Sequence, residues 1–311
     1  MRFKVLCAAG VLALAAFSTG ASAADPESCQ TVRFSDVGWT DIQATTGIAT
    51  VILEGLGYDP EVTLLSVPVT YQSLKNKDID VFLGNWMPSM AADVQPFLDD
   101  KSVENLTTNL TGAGYGLVVP AYVAEAGVKD LSDLSKNADK FDKKIYGIEP
   151  GNDGNRIVLT MIDDANNNLG GWELVESSEQ GMLAQAQKSM DAKEYIVFLG
   201  WTPHPIMGEM GLVYLTGMGD TGFGEATVIT NVRAGYASEC PNVAKLLSNL
   251  KFDLAMEGAI MDDILTNGAT ADDAATAWLK ANPGSLDAWL AGVETIDGKN
   301  GLGAVRASLG I

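Results

Sequence analysis

Two distant segments of this chain repeat one short pattern. Residues 80–88 and residues 195–203 each carry an apolar run of strand length, then glycine, tryptophan and proline in that order. Glycine and proline predict the end of the strand, which places Trp86 and Trp201 just past its carboxyl end. Ligands bind at that edge of open α/β sheets. The repeat therefore predicts two α/β lobes that each present a tryptophan to a shared cleft, unless both tryptophans only pack within buried strands.

Strand and helix patterns alternate before the first copy of this repeat. Three segments have the pattern of strands: residues 31–36, 62–67 and 79–83. Apolar residues at helical spacing follow the first strand from Ile42 onward, and Thr40 or Asp41 is suited to cap that helix. The alternation predicts a largely parallel sheet with helices on both faces.

A crossing strand and two cysteines define how the lobes share the chain. Residues 115–120 predict a strand that leads into a second α/β unit, and residues 226–234 predict a segment that returns from it. Cys29 and Cys240 are an even pair after an export signal, which predicts one disulfide, although two buried thiols remain the alternative. The disulfide would place both ends of the chain in one lobe. We predict lobe I from two stretches and lobe II from the segment between them: 24–113 with 230–311, and 114–229.

The first 23 residues have the pattern of a secretory signal. Two basic residues precede an apolar run over residues 5–17, and Ala21-Ser22-Ala23 is a small-residue cleavage site. A lipid-attachment cysteine would follow the apolar run, whereas Cys7 lies before its end. We therefore predict no lipid-attachment site. The sequence predicts a soluble, exported protein that is not lipid-anchored.

The charge of the exported chain limits its partners. Removing the signal takes away two basic residues and no acidic ones, which leaves a formal net charge of 18 − 40 = −22. Such a surface repels nucleic acid, so we predict no nucleic-acid partner, although solubility alone also accounts for the charge.

Catalytic and metal-binding patterns are missing from the sequence. His204 is the one histidine, it stands between Pro203 and Pro205, and no G-x-S-x-G segment supplies a serine nucleophile. No cysteine or histidine spacing matches a metal site. We predict that the protein is not an enzyme and has no cofactor and no metal.

The aromatic residues are the strongest functional signal. Four of them fall at predicted strand ends or at the crossing: Trp39, Trp86, Tyr115 and Trp201. Trp278 and Trp289 fall instead in C-terminal amphipathic patterns typical of core. Four ring faces around one point favour a quaternary ammonium group, and each desolvated face contributes up to about 2 kcal/mol. Three or four faces would supply about 6 to 8 kcal/mol, close to the ~8 kcal/mol of micromolar binding.

These segments resemble the periplasmic substrate-binding proteins of ABC importers for choline, glycine betaine, proline betaine and carnitine. The segments that carry the resemblance are Gly38-Trp39, residues 84–88, residues 115–120, Pro150-Gly151, residues 201–204 and the Trp278 to Leu290 tail. The resemblance implies a type II-like binding protein with two α/β lobes, each a mostly parallel sheet flanked by helices, joined by a hinge of two crossing segments. It also implies a monomer that passes its ligand to an ABC permease in the inner membrane.

Within that family the chain is most similar to the choline-binding branch. The resemblance implies an aromatic box of Trp39, Trp86, Tyr115 and Trp201, with Asp41 and Asn152 on the hydroxyl side of choline. A betaine or carnitine ligand remains the alternative, and Asp41 either meets the ligand or only caps its helix. Two other functions are a secreted choline-ester hydrolase that uses His204 and a binding protein that serves a chemoreceptor.

Overall fold

The computed structural model describes residues 24–311, so the predicted signal segment lies outside the described residues. The strands of the described residues are β1 (Thr31–Asp36), β2 (Asp59–Leu64), β3 (Val81–Met87), β4 (Val103–Pro120), β5 (Lys144–Tyr146), β6 (Glu173–Val175), β7 (Phe198–Thr202), β8 (Leu212–Tyr214) and β9 (Gly224–Arg233). Their order in the sheet is β2-β1-β3-β9-β4-β7-β5-β6, with β8 beside β4.

Helices connect the strands and flank this sheet. They are α1 (Thr40–Gly55), α2 (Val67–Asn76), α3 (Ala91–Asp99), α4 (Ala121–Glu125), α5 (Leu131–Lys136), α6 (Asp153–Asp163), α7 (Glu179–Asp191), α8 (Ile206–Glu209), α9 (Tyr236–Glu239), α10 (Pro241–Asn249), α11 (Leu254–Asn267), α12 (Ala271–Ala281), α13 (Ser285–Trp289) and α14 (Gly301–Leu309). Short 3-10 turns occur at Glu27–Cys29, Ala138–Phe141 and Ala165–Asn167.

The sheet has a parallel part in each lobe and an antiparallel pair between them. β1 pairs in parallel with β2 and β3, and β5 pairs in parallel with β6 and β7. The long strands β4 and β9 pair with each other and connect the two parts. This arrangement confirms the predicted two-lobed α/β fold with two crossing segments. The predicted lobe boundaries fall inside β4 and β9 and stay a prediction.

Helix α1 is the centre of lobe I. Its apolar side chains, among them Ile42, Ile48 and Ile52, are fully buried. α12 approaches it so closely that a Cβ at Gly47 would lie 2.7 Å from the Ala271 carbonyl oxygen. Gly38 turns the chain from β1 into α1 with φ of +87°, a conformation that glycine adopts without strain. Helix α1 is therefore buried in the core of lobe I, with α12 packed directly against it.

Several predicted element boundaries were wrong. β3 and β7 extend past their glycines and include Trp86 and Trp201, because neighbouring antiparallel strands continue the pairing: Trp86 lies opposite Val228 and Trp201 opposite Tyr115. The second strand spans Asp59–Leu64 rather than residues 62–67, since it follows the parallel register of β1. The predicted helix start is also corrected: α1 begins at Thr40 with Trp39 as its N-cap, and no side chain of its own segment caps it.

The predicted disulfide is confirmed. Cys29 and Cys240 are bonded, with their Cα atoms 5.7 Å apart, and both are buried. The bond joins the segment before β1 to the segment before α10, two stretches that the predicted boundaries assign to lobe I. Within residues 24–311, no helix has the length and apolar content needed to span a membrane.

Candidate functional site

The cage between the lobes is formed mainly by the predicted aromatic residues. The residues that line it are Trp39, Asp41, Trp86, Tyr115, Ile148 and Trp201. Trp39 and Asp41 come from the β1–α1 junction, Trp86 from β3, Tyr115 from β4 and Trp201 from β7. Five of the six sequence-predicted site residues therefore lie together.

Three of the cage rings contact one another at steep angles rather than in parallel stacks. The Tyr115 ring lies 6.0 Å from Trp86 with planes tilted by 57°, and 6.2 Å from Trp201 in an edge arrangement. Phe223, which does not line the cage, packs edge-on against Tyr115 with ring centres 5.2 Å apart. All four cage rings are buried. Such a desolvated box is suited to a cation whose charge is spread over methyl groups.

Asp41 places one carboxylate in this aromatic environment. Its Oδ2 accepts a hydrogen bond of 3.0 Å from the Trp86 indole N–H, whereas its buried Oδ1 has no protein partner. Burial, and then the nearby charge of Glu179, raise the pKa of Asp41 to about 8. The carboxylate lies in the second position of α1 and does not cap that helix. The cage therefore holds an acceptor for which the described residues provide no cation.

Asn152 has a different position from the other predicted site residues. It is buried and caps α6: its Oδ1 accepts from the Asn155 backbone N–H at 2.8 Å, and its Nδ2 donates to the Glu149 carbonyl. Its side chain does not line the cage in this structure. It fixes the start of α6, where a Cβ on Gly154 would overlap the Tyr115 hydroxyl. Asn152 thus positions the helix turn that lies against the cage.

Ile148 is a cage residue that sequence reasoning missed. It lies just after β5, before the Pro150-Gly151 turn, and supplies an apolar wall. The nearest signal in the sequence was Pro150-Gly151, one of the segments that carry the family resemblance. Glu149, next to Ile148, accepts a 3.0 Å hydrogen bond from the Trp39 indole, and burial raises its pKa to about 7.

His204 packs edge-on against the cage residue Trp201. Its side chain is fully buried, its Nε2 lies 3.2 Å from the Glu179 carboxylate, and its Nδ1 lies 3.3 Å from the Ile206 backbone N–H. No serine hydroxyl of residues 24–311 is hydrogen-bonded to it. The same part of the chain contains no group of three acidic, histidine or cysteine residues placed to hold a metal.

Two α/β lobes that close on an aromatic cage with one unpaired carboxylate oxygen define a solute-binding protein. The comparison with known families gives the assignment within that class. The chain belongs to the family of substrate-binding domains of ABC-type glycine betaine transport systems, whose sequence profile matches residues 30–281. The family consists of transport proteins rather than enzymes.

Three solved structures show how close the similarity is. A choline-binding protein of an ABC transporter in complex with choline is 58% identical, with a TM-score of 0.89 over 92% of this chain and 100% of that chain. An unliganded, semi-closed ABC-transporter choline-binding protein is 59% identical with a TM-score of 0.84 at the same coverage. Lactococcal OpuAC, closed on glycine betaine, is 30% identical with a TM-score of 0.76 over 83% of this chain and 98% of its own.

Proposed function

We propose that this protein binds choline in the periplasm and delivers it to an ABC permease in the inner membrane. The observation that carries the proposal is the unpaired Asp41 oxygen inside a box of aromatic rings. The 58% identity to a protein solved with choline supports the same ligand. Export depends on the predicted signal in residues 1–23, and the acidic surface fits a soluble protein.

In this proposal choline makes two kinds of contact with the cage. The trimethylammonium group lies against Trp39, Trp86, Tyr115 and Trp201, and each desolvated face contributes up to about 2 kcal/mol. The hydroxyl group donates to Asp41, whose charge also attracts the ammonium. Because Trp39 and Asp41 belong to lobe I and Trp201 to lobe II, the ligand stabilises the closed state by contacting both.

Glycine betaine is the second candidate, since the family profile is that of glycine betaine transport systems. Asp41 argues against it at about pH 8 and above, because its ionised, buried carboxylate repels the carboxylate of a zwitterion. Glu149, which also bonds to a cage tryptophan, adds a second acidic group on that side. The arrangement therefore favours a cation with a hydrogen-bond donor.

Calorimetry with three ligands tests the proposal. We expect choline to bind with micromolar or tighter affinity, and glycine betaine more weakly. The neutral analogue 3,3-dimethylbutan-1-ol, which has carbon in place of nitrogen, should bind far more weakly still, because it keeps the shape and loses the charge. Stronger binding of betaine than of choline would assign the protein to the betaine alternative, and equal binding of the neutral analogue would contradict the cation–π mechanism.

Choline affinity should fall as the pH is lowered below about 8. The raised pKa of Asp41 means that the carboxyl is protonated at lower pH, and a bound cation favours its ionised form. Binding must then release a proton, which costs up to about tenfold in affinity per pH unit. Glu179 also opposes the ionisation of Asp41, and burial, and then the Asp41 charge, raise the pKa of Glu257 well above its usual value.

The proton released on choline binding is measured by calorimetry in two buffers of different ionisation enthalpy between pH 6 and pH 9. Asp41→Asn provides the matched control, since it removes the titrating group without changing the size of the side chain. An unchanged pH profile in this variant would assign the proton to another carboxyl.

A further inference from the structure

The first turn of α1 is capped by a side chain from the predicted lobe II. No side chain of its own segment caps this helix, although Trp39 and Asp41, on either side of Thr40, both line the cage. Instead, the Thr40 backbone N–H donates to Oε2 of Glu179 at 2.9 Å, and the Thr40 hydroxyl donates to Oε1. Glu179 is the first residue of α7 and lies 139 positions away in lobe II. A carboxylate at this position satisfies a free helix N–H and interacts favourably with the helix dipole.

His204 holds the Glu179 carboxylate in place. Because the Ile206 N–H points to Nδ1, the ring proton lies on Nε2 and is donated to Oε1 of Glu179 at 3.2 Å. His204 also contacts the cage, since its ring packs edge-on against the Trp201 ring with ring centres 5.0 Å apart. Contacts therefore run without a gap from Trp201 in lobe II, through His204 and Glu179, to Thr40 in lobe I.

The side chains in this network are fully desolvated. Glu179 and His204 have no exposed side-chain surface, and Thr40 is buried. Opening the cleft must separate Thr40 from Glu179, because the two residues belong to different predicted lobes. The N–H of Thr40 and the Glu179 carboxylate then lose this hydrogen bond and must be hydrated instead. A buried, charge-assisted hydrogen bond is among the stronger polar contacts in proteins, so this separation opposes opening.

We propose that Glu179 is a positioning residue that caps α1 across the cleft and holds the closed, ligand-bound state. The proposal rests on the function proposed above and adds a residue that does not line the cage. The cap forms only when the lobes meet, after choline has entered. It therefore controls how slowly choline leaves, while the rate of entry depends on the open cleft.

Stopped-flow tryptophan fluorescence measures both rates, since the cage tryptophans report on the ligand. Glu179→Gln keeps the size of the side chain but replaces one acceptor oxygen with an amide NH2, which cannot accept from Thr40 or His204. We expect the dissociation rate to rise about tenfold or more and the association rate to change less than twofold. Glu173→Gln, an exposed change of equal charge in lobe II, should leave both rates unchanged.

Thr40→Val supplies the partner change, because it removes the donating hydroxyl and keeps the branched shape. If the two groups act through one contact, the double variant should dissociate little faster than Glu179→Gln alone. Additive effects of the two changes, or a loss confined to the association rate, would overturn the proposal. Ligand-free thermal melting of each variant shows whether the chain has folded.

The wild-type protein separates the two proposals. If it binds glycine betaine but not choline, the choline assignment fails, and the same rates measured with betaine still test the cap. If choline binds and Glu179→Gln releases it at the wild-type rate, the cap is wrong and the choline assignment stands.

Discussion

Replacing Trp86 with alanine is expected to weaken choline binding by about 100-fold or more. The change removes one ring face of the cage, worth up to about 2 kcal/mol. It also removes the indole N–H that donates to Asp41 at 3.0 Å, which leaves the carboxylate without its protein partner. Loss of both contacts should cost about 3 kcal/mol, the range found for central tryptophans in binding sites. Isothermal calorimetry at pH 8 measures the effect directly.

Trp278→Ala is the matched control for this loss. Trp278 stacks on Trp289 with ring centres 6.0 Å apart and planes 26° from parallel, and it does not line the cage. Its removal should lower the melting temperature and leave the choline dissociation constant within about twofold. Equal affinity of Trp86→Ala and the wild-type protein would show that the cage does not hold the ligand.

Asp41→Asn is expected to change the choice of ligand. Choline loses a charge-assisted contact worth about 1.5 to 3 kcal/mol, which corresponds to about 10- to 150-fold weaker binding. Glycine betaine should bind more tightly than it does to the wild-type protein, because its carboxylate no longer meets a buried negative charge. The ratio of the two dissociation constants therefore shifts by more than either constant alone.

A charge change at a distance provides the comparison. Asp262 lies exposed on α11 and accepts a hydrogen bond from the Thr266 hydroxyl of its own helix. Asp262→Asn alters the net charge equally and should leave both dissociation constants unchanged. If Asp41→Asn still rejects betaine to the wild-type extent, the discrimination must come from the shape of the cage rather than from its charge.

Local patterns predicted part of the fold. The strand at residues 31–36 and the helix that follows it are read from apolar spacing that the structure retains. The 18-residue strand β4 was missed in its first half, and so was helix α3. The first half of β4, residues 103–114, contains three threonines and two glycines. Its conformation depends on pairing with β9 rather than on local preference.

The site was predictable to the extent that its residues sit at recognisable strand patterns. Trp86 and Trp201 belong to a visible repeat, and Asp41 follows Trp39 at a strand-to-helix junction. Whether each of the six residues touches ligand remains a prediction. Glu179 could not be found this way, because it meets Thr40 across 139 positions and its neighbours have an ordinary helical pattern.

The paired strands β4 and β9 determine how the protein can open. They are hydrogen-bonded to each other, so the lobes are joined by a ribbon rather than by two independent linkers. The register of this ribbon is interrupted three times between Asn105 and Ala113, and Gly112 has φ of +77°. Interruptions of this kind locally bend and twist a strand pair. We therefore expect opening to be a bend concentrated in this segment, with a fixed direction, rather than a free swivel of one lobe about the other.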